Sequence, residues 1–382
     1  PFEALPPEVS FQVELIPSRL VRYRFEVQRS VCPNGHILLG PRPVRVGDCS
    51  HYGPALHAEV TVSKATDAMP VHRLARRLAR AGLRLSRSAL NDLWHRSATL
   101  LRPVYQRLLE LVKASTYVNA DETSQPVMAP EHCRNGFMWT FVASRIIAYV
   151  FSPSRSGETP KQLLGDSTGR LQVDGYTGYN GVVTPDRRIR DGCLAHVRRY
   201  FVKALDTARE HADHAIHVIG QIYAVEYEAA GADILGTDAH RLLRQEKSRP
   251  LLETWKSHLE ALRPEVPPKS PLGAAIRYTL NQWTYVTHFL DDPKVRLDNN
   301  VSEAALRIIA LGRDTFRWVG NDDAGEHLAI IHTIAATCAL HGVSPNAYVA
   351  DVIVRVASHP TAELDDLLPW NWLPTSPGPT TP

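Results

Sequence analysis

The sequence predicts an α/β protein with a mixed sheet, and three observations predict it. From Thr116 to Thr184 the apolar period is that of strands, carried by TYVNAD, GFMWTFVAS, RIIAYVFS and RLQVDGY. The helical run ETPKQLLG precedes the last of these, and three strands followed by a helix and a further strand suit a mixed sheet. Residues 206–296 read as helical throughout, an all-helical insertion behind the sheet.

The chain has 382 residues, enough for two or three domains of about 100–200 residues each. An apolar share of 44% supports a sizeable core. The net charge of +3 neither demands nor excludes a nucleic-acid partner, so the local clustering of arginine carries more weight. Five cysteines at irregular spacing argue against a disulfide framework and for a reducing, cytoplasmic setting. The opening PFEALPPEVS lacks the basic and apolar regions of a signal peptide. The most apolar run, Leu328 to Leu340, spans 13 residues with His332 and Thr333 inside it, which suits a buried helix and not a bilayer span. The chain opens at Pro1 without a Met and reads as a fragment.

Residues 1–66 read as short strands and loops. There Arg19, Arg22, Arg24 and Arg29 are interspersed with Leu20, Tyr23, Phe25 and Val27. Cys32 and His36 are followed by Cys49 and His51, but C-x3-H then C-x-H is not a standard zinc spacing. A loop with free thiols is the plainer reading.

Residues 67–115 read as helical. MPVHRLARRLARAG starts at Pro70 and ends at Gly82, and LSRSALNDLW follows with Ser86 as N-cap. Six arginines from Arg73 to Arg87 around a glycine turn suggest a helix-turn-helix, with Arg73, Arg76 and Arg77 as DNA contacts. The same pattern also suits the solvated basic face of a scaffold helix pair. A further helix, Leu100 to Ala114, leads into the first strand.

Residues 116–205 form the first part of the core, 297–357 the second with the C-terminal helices, and 358–382 the tail, whose last residues read as disordered. Asp121 would close the first strand, with Pro126 stopping the segment, and Asp174 would close the fourth. Neighbouring strands would bring the two carboxylates together. Cys193 and His196 form a C-x2-H pair, half of a metal site, beside Arg198 and Arg199. In LDNNVSE, Asn300 resembles an N-cap with Glu303 at the third helical position, a capping box. Alternatively, Glu303 joins the two aspartates in an acidic pocket for Mg²⁺ or Mn²⁺. Two such ions about 3.5–4 Å apart could clamp a phosphodiester.

ADET from Ala120, VDGYTGYNG from Val173, GCLAHVRRYF from Gly192, LDNNVSEAALR from Leu297, GNDDAGE from Gly320, GVSPNAYV from Gly342 and LLPWNW from Leu367 stand in one order. In these the chain resembles the insertion sequence 66 family of DDE-type transposases. The resemblance implies an RNase H-like core, the catalytic and metal-binding triad Asp121, Asp174 and Glu303, and the use of two metal ions. It gives Cys193 and His196 a structural or DNA-contacting role. Arg198, Arg199, Arg307 and Arg313 are the expected phosphate contacts. DNA ends and target DNA, an oligomer on DNA and accessory proteins of the same element are the implied partners.

Two departures stand out. The family's N-terminal zinc segment has two cysteine pairs, and only Cys32 with His36 resembles the second, so zinc there is not expected. A GRKN-like stretch reads GRDTFRW, with Asp314 where a cation is expected. A DNA-binding relic without catalysis, or a metal-dependent nuclease on the same core, are the rival readings.

Overall fold

The computed structural model describes residues 20–41, 45–47 and 50–374, so Arg19, Cys49 and the end of the tail lie outside the described residues. A small exposed hairpin, β1 (Arg29–Val31) with β2 (Ile37–Leu39), comes first. Three helices follow: α1 (Pro54–Ala65), α2 (Val71–Arg80) and α3 (Arg87–Ala114). The sheet comprises β3 (Tyr117–Met128), β4 (Cys133–Ala143), β5 (Ile146–Ser152), then α4 (Glu158–Leu164), β6 (Gly169–Gln172) and β7 (Arg188–Asp191). Beyond it lie α5 (Leu194–Val202), α6 (Arg209–Gly231), α7 (Asp238–Leu243), a π turn over Arg244–Ser248, α8 (Arg249–Leu262) and α9 (Pro271–Thr287). The chain ends with α10 (Asn300–Phe316), α11 (Asp322–Leu340) and α12 (Pro345–Arg355).

The five strands are ordered β5-β4-β3-β6-β7. The first three form an antiparallel meander, and β6 and β7 add in parallel beside β3. The fold is therefore α/β with a mixed sheet. Met138, Trp139, Thr140 and Phe141 in β4 are all buried, so this strand is covered on both faces.

Two apolar clusters divide the molecule. One joins the sheet to α1, α2, α3, α10, α11 and α12, and the other is built from α5, α6, α8 and α9. The helical excursion leaves and rejoins the sheet at adjacent points, because Leu194 N donates to Leu297 O at 2.9 Å.

Several expectations need correction. Residues 54–65, expected within strands and loops, form α1, with Pro54 at its first turn after Gly53. Its β-branched VTV run masks a helix that burial in the main core secures. The two helices expected on either side of Leu100 are one 28-residue helix, α3, with Pro103 inside it. Its apolar face, from Leu90 to Val112, lies in the main core. The pair α2–α3 is thus part of the scaffold. The fifth strand, β7, was not anticipated: RIRD carries three charges, yet Arg188, Arg190 and Asp191 are buried. Arg170 pairs with Asp191 through two bonds of 2.8 and 2.7 Å, and Arg188 donates to Lys113 O and Ser115 O.

The first strand does not stop at Asp121 or Pro126 but runs to Met128. Strand β6 pairs with β3 only from Tyr117 to Asn119, so beyond that point one edge of β3 is free of a strand partner. Pro126, which has no N–H, faces that edge, and its carbonyl accepts from Val319 N at 3.0 Å. At the sheet's other margin, α11 lies along β5. Thr333 Oγ1 accepts from Tyr149 N at 2.8 Å, and Thr337 Oγ1 accepts from Ile147 N at 3.4 Å. Two threonines one helical turn apart cover an edge that would otherwise offer free donors. Among the described residues no helix is long and apolar enough to cross a membrane.

Replacing Thr333 by Val keeps the volume and leaves Tyr149 N–H buried without an acceptor. The expected loss is about 1–3 kcal/mol of unfolding free energy, read from urea melts of the two proteins.

Candidate active site

The parallel ladder places the two aspartates. Tyr117, Val118 and Asn119 face Arg170, Leu171 and Gln172, and the same register continued by two residues sets Asp121 opposite Asp174. Asp174 lies two residues past the end of β6, a correction to its expected place as the strand's last residue. There the chain turns away, and Asp174 Oδ1 accepts from Tyr176 N at 2.8 Å. Asp121 Oδ1 accepts from Glu122 N at 2.8 Å. Two carboxylates thus sit where two parallel strands diverge.

Glu303 arrives from the far end of the chain. The N-cap of α10 is Asn299, so Glu303 is the fourth helical residue, and no side-chain cap bond forms. The capping box is therefore absent, and the Glu303 carboxylate bonds another helix instead. It accepts from Arg199 Nη2 at 2.7 Å and lies 3.6 Å from His196 Nε2.

What fixes α10 is Asn299, fully buried. Its Nδ2 donates to Ala120 O at 2.7 Å, and its Oδ1 accepts from Asn119 Nδ2 at 3.1 Å and Ser302 Oγ at 3.0 Å. Its backbone N–H donates to Cys193 Sγ at 3.2 Å. Sequence reasoning missed this residue, because an Asp-Asn-Asn run before a helix looks like ordinary capping.

The electrostatics follow from the crowding. Burial pushes the Asp121 carboxyl up to about 7, and Glu122, Asp174 and Glu303 push in the same direction against the bond from Glu122 N. Burial holds the His196 imidazole below its ordinary value, so it is neutral at pH 7. His196 Nε2 lies 4.0 Å from Asp174 Oδ2, and its buried Nδ1 has no partner. Cys193 is buried and its thiol is pushed up to about 12 by that burial, so it serves as an acceptor for Asn299 and not as a thiolate ligand.

Asp121, Asp174 and Glu303 could hold divalent cations. Oxygen donors whose mutual repulsion raises a pKa suit a hard ion, and such an ion would relieve the repulsion. Their oxygens are not drawn into one tight trio. Among the described residues the one trio of potential ligand atoms within 4.8 Å of each other is His359, Glu363 and Asp366, an arrangement on the surface after α12.

The basic residues divide. Arg198 and Arg199 line an open groove of about 430 Å³ with Ala195, Val202, Tyr223 and Asn300, at the start of α10. Arg307, one turn beyond Glu303, is exposed. Arg313 Nη1 donates to Thr123 Oγ1, Ser124 O and Ser124 Oγ, which ties α10 to β3 and engages the group expected to meet phosphate. On α2, Arg73 and Arg76 are exposed, whereas Arg77 bonds Glu59 and Ser63 on α1. Cys32 Sγ and His36 Nδ1 are 3.5 Å apart on the exposed hairpin, with no third ligand gathered among the described residues.

Three carboxylates thus approach the point where the parallel strands part, with Arg199 bonded to one of them and Arg198 beside it. The chain belongs to the transposase IS66 family: that family's model matches residues 49–327, and the IS66 C-terminal element matches residues 333–370. Membership implies DNA binding and the use of divalent metals in general.

The chain is similar to three proteins of Sinorhizobium fredii (strain NBRC 101917 / NGR234). The uncharacterized protein y4jD is 32% identical, with 93% of this chain and 72% of y4jD covered. The uncharacterized protein y4hP is 30% identical, with 87% and 64% covered, and the uncharacterized protein y4qI is 28% identical, with 98% and 71% covered. The match thus spans 64% of y4hP and little more of the other two.

Two outcomes follow from this geometry. Asn299→Ala leaves Ala120 O, Asn119 Nδ2 and Ser302 Oγ without their partner, so urea melts should show a loss well above the roughly 1 kcal/mol of a single hydrogen bond. Asp121 has a raised folded pKa, so its ionisation opposes folding: stability falls as pH rises from about 4 to about 7. In metal-free buffer Asp121→Asn should therefore be more stable than the parent above pH 7, with no gain at pH 4.

Proposed function

We propose that this chain is a DNA transposase that cleaves and joins DNA strands at the centre formed by Asp121, Asp174 and Glu303. The observation that carries the reading is the β3–β6 register, which sets the two aspartates opposite each other at a strand divergence. Counted from β3, the strand order is 3-2-1-4-5 with the second strand antiparallel to the rest, and this supports an RNase H-like core. The separate apolar cluster of α5, α6, α8 and α9 supports taking residues 206–296 as a helical insertion in that core.

Asp121 and Asp174 would hold Mg²⁺ or Mn²⁺ from the sheet, and Glu303 from α10 would complete the set. Such ions supply Lewis acidity for the attacking and leaving oxygens of a phosphodiester. Water would first attack at an element end and free a 3′-OH, and that hydroxyl would then attack target DNA in a second in-line displacement. His196 Nε2, 4.0 Å from Asp174 and 3.6 Å from Glu303, would hold these two carboxylates apart. Arg198, Arg199 and Arg307 would receive phosphates, positioning DNA without reading its sequence. Joining two ends calls for at least a dimer on DNA, with accessory proteins of the same element as further partners.

The test is cleavage and joining of labelled element ends in Mg²⁺ or Mn²⁺. Asp121→Asn, Asp174→Asn and Glu303→Gln should each abolish both steps while circular dichroism stays that of the parent. Full activity in any one variant would remove that residue from the centre. A pre-cleaved end with a free 3′-OH should still be joined to target by the parent protein; cleavage without joining would leave a nuclease.

A further inference from the structure

Glu122 follows Asp121 in β3, so strand alternation turns its side chain to the other face. There its carboxylate is 1% exposed and fully bonded. Oε1 accepts from Arg155 Nε at 2.9 Å and Nη2 at 2.6 Å, and Oε2 accepts from Tyr179 Oη at 2.7 Å. Arg155 belongs to the loop between β5 and α4, and its guanidinium stacks on Tyr176 at 4.2 Å from the ring centroid. The Tyr176 hydroxyl donates to Arg155 O, and Tyr176 N donates to Asp174 Oδ1 at 2.8 Å.

A buried carboxylate is an expensive way to hold a loop, since a well-packed apolar side chain usually does as well or better. This network reaches solvent through one charged group. Tyr179 is buried, Glu122 is buried, and the Arg155 side chain is 47% exposed, with no hydrogen bond from Nη1 to the described residues. The guanidinium plane is held on two sides, by the carboxylate and by the ring, close enough to Asp174 for their charges to interact. A fork fixed in this way loses little freedom when it meets a phosphate. Arg199 and Arg313 are differently placed, being bonded to Glu303 and to β3.

We infer that Arg155 is a DNA-backbone contact at the rim of the acidic centre, mounted by Glu122 and Tyr176. The inference rests on the transposase reading, because it places the DNA strand beside Asp174. The contact is to phosphate and carries no base specificity.

The experiment is fluorescence anisotropy with the full chain and a duplex of about 40 base pairs of arbitrary sequence, without catalytic metal, from about 50 to 200 mM salt. Arg155→Ala should bind about five- to tenfold more weakly on any sequence, and its salt slope should fall by about 0.9. Arg155→Lys should keep the slope and recover part of the affinity. Tyr179→Phe disturbs the network from its buried side without touching the guanidinium, and should leave the slope unchanged.

If Arg155→Ala is unstable because Glu122 is stranded, the double variant Glu122→Gln/Arg155→Ala carries the same test. An unchanged slope in Arg155→Ala and in the double variant, or an equal change in Tyr179→Phe, would overturn the contact and leave the transposase reading in place. A parent protein that binds no DNA would remove both.

Discussion

The Asn299 carboxamide takes over where β6 stops. Past Asn119 the outward backbone groups of β3 have no strand to meet, and α10 with the turn after it supplies partners instead. Asn299 meets Ala120 O, Arg313 meets Ser124 O, and Val319 meets Pro126 O and Met128 N. The first of these is the most constrained, since the same buried side-chain amide also receives Asn119 and Ser302, while the backbone N–H of Asn299 donates to Cys193. Strand β3, the C-x2-H helix α5 and helix α10 are thereby joined at one point. The distance from Glu303 to the two aspartates is a consequence of that junction.

The same junction concentrates negative charge. Asp121, Glu122, Asp174 and Glu303 sit near one another, and among the described residues Arg155 and Arg199 are the guanidinium groups that bond their carboxylates. The imbalance appears in the raised Asp121 carboxyl, driven first by burial and then by its neighbours. A scaffold held by ordinary hydrogen bonds thus maintains an arrangement that its own charges oppose. Cations of high charge density are what would balance it.

Much of this was legible in the sequence because periodicity is a long-range average. Three strands of seven to twelve residues declare themselves by alternation, and α6, α8 and α9 by helical spacing. What escaped was local. Strand β7 is four residues long and charged, and its burial depends on Arg170 and His288, which no window around it contains. Pro126 reads as a stop unless it is known that β6 has already ended. Glu303 as a cap and Glu303 beside Arg199 differ only in which way α10 faces, and Asn299 decides that from 179 residues away, through Ala120. The spacing of Asp121 and Asp174 was readable as a possibility, and the parallel register makes it a geometry.

The near meeting of Leu194 and Leu297 has a bearing on ancestry. A chain that departs and returns through one hydrogen bond can vary the length of what lies between at small entropic cost, since closing a longer loop adds only logarithmically. Helices could be gained or shed in that excursion while the spacing of the three carboxylates stays as it is. Shape at the periphery and chemistry at the centre are free to evolve at different rates.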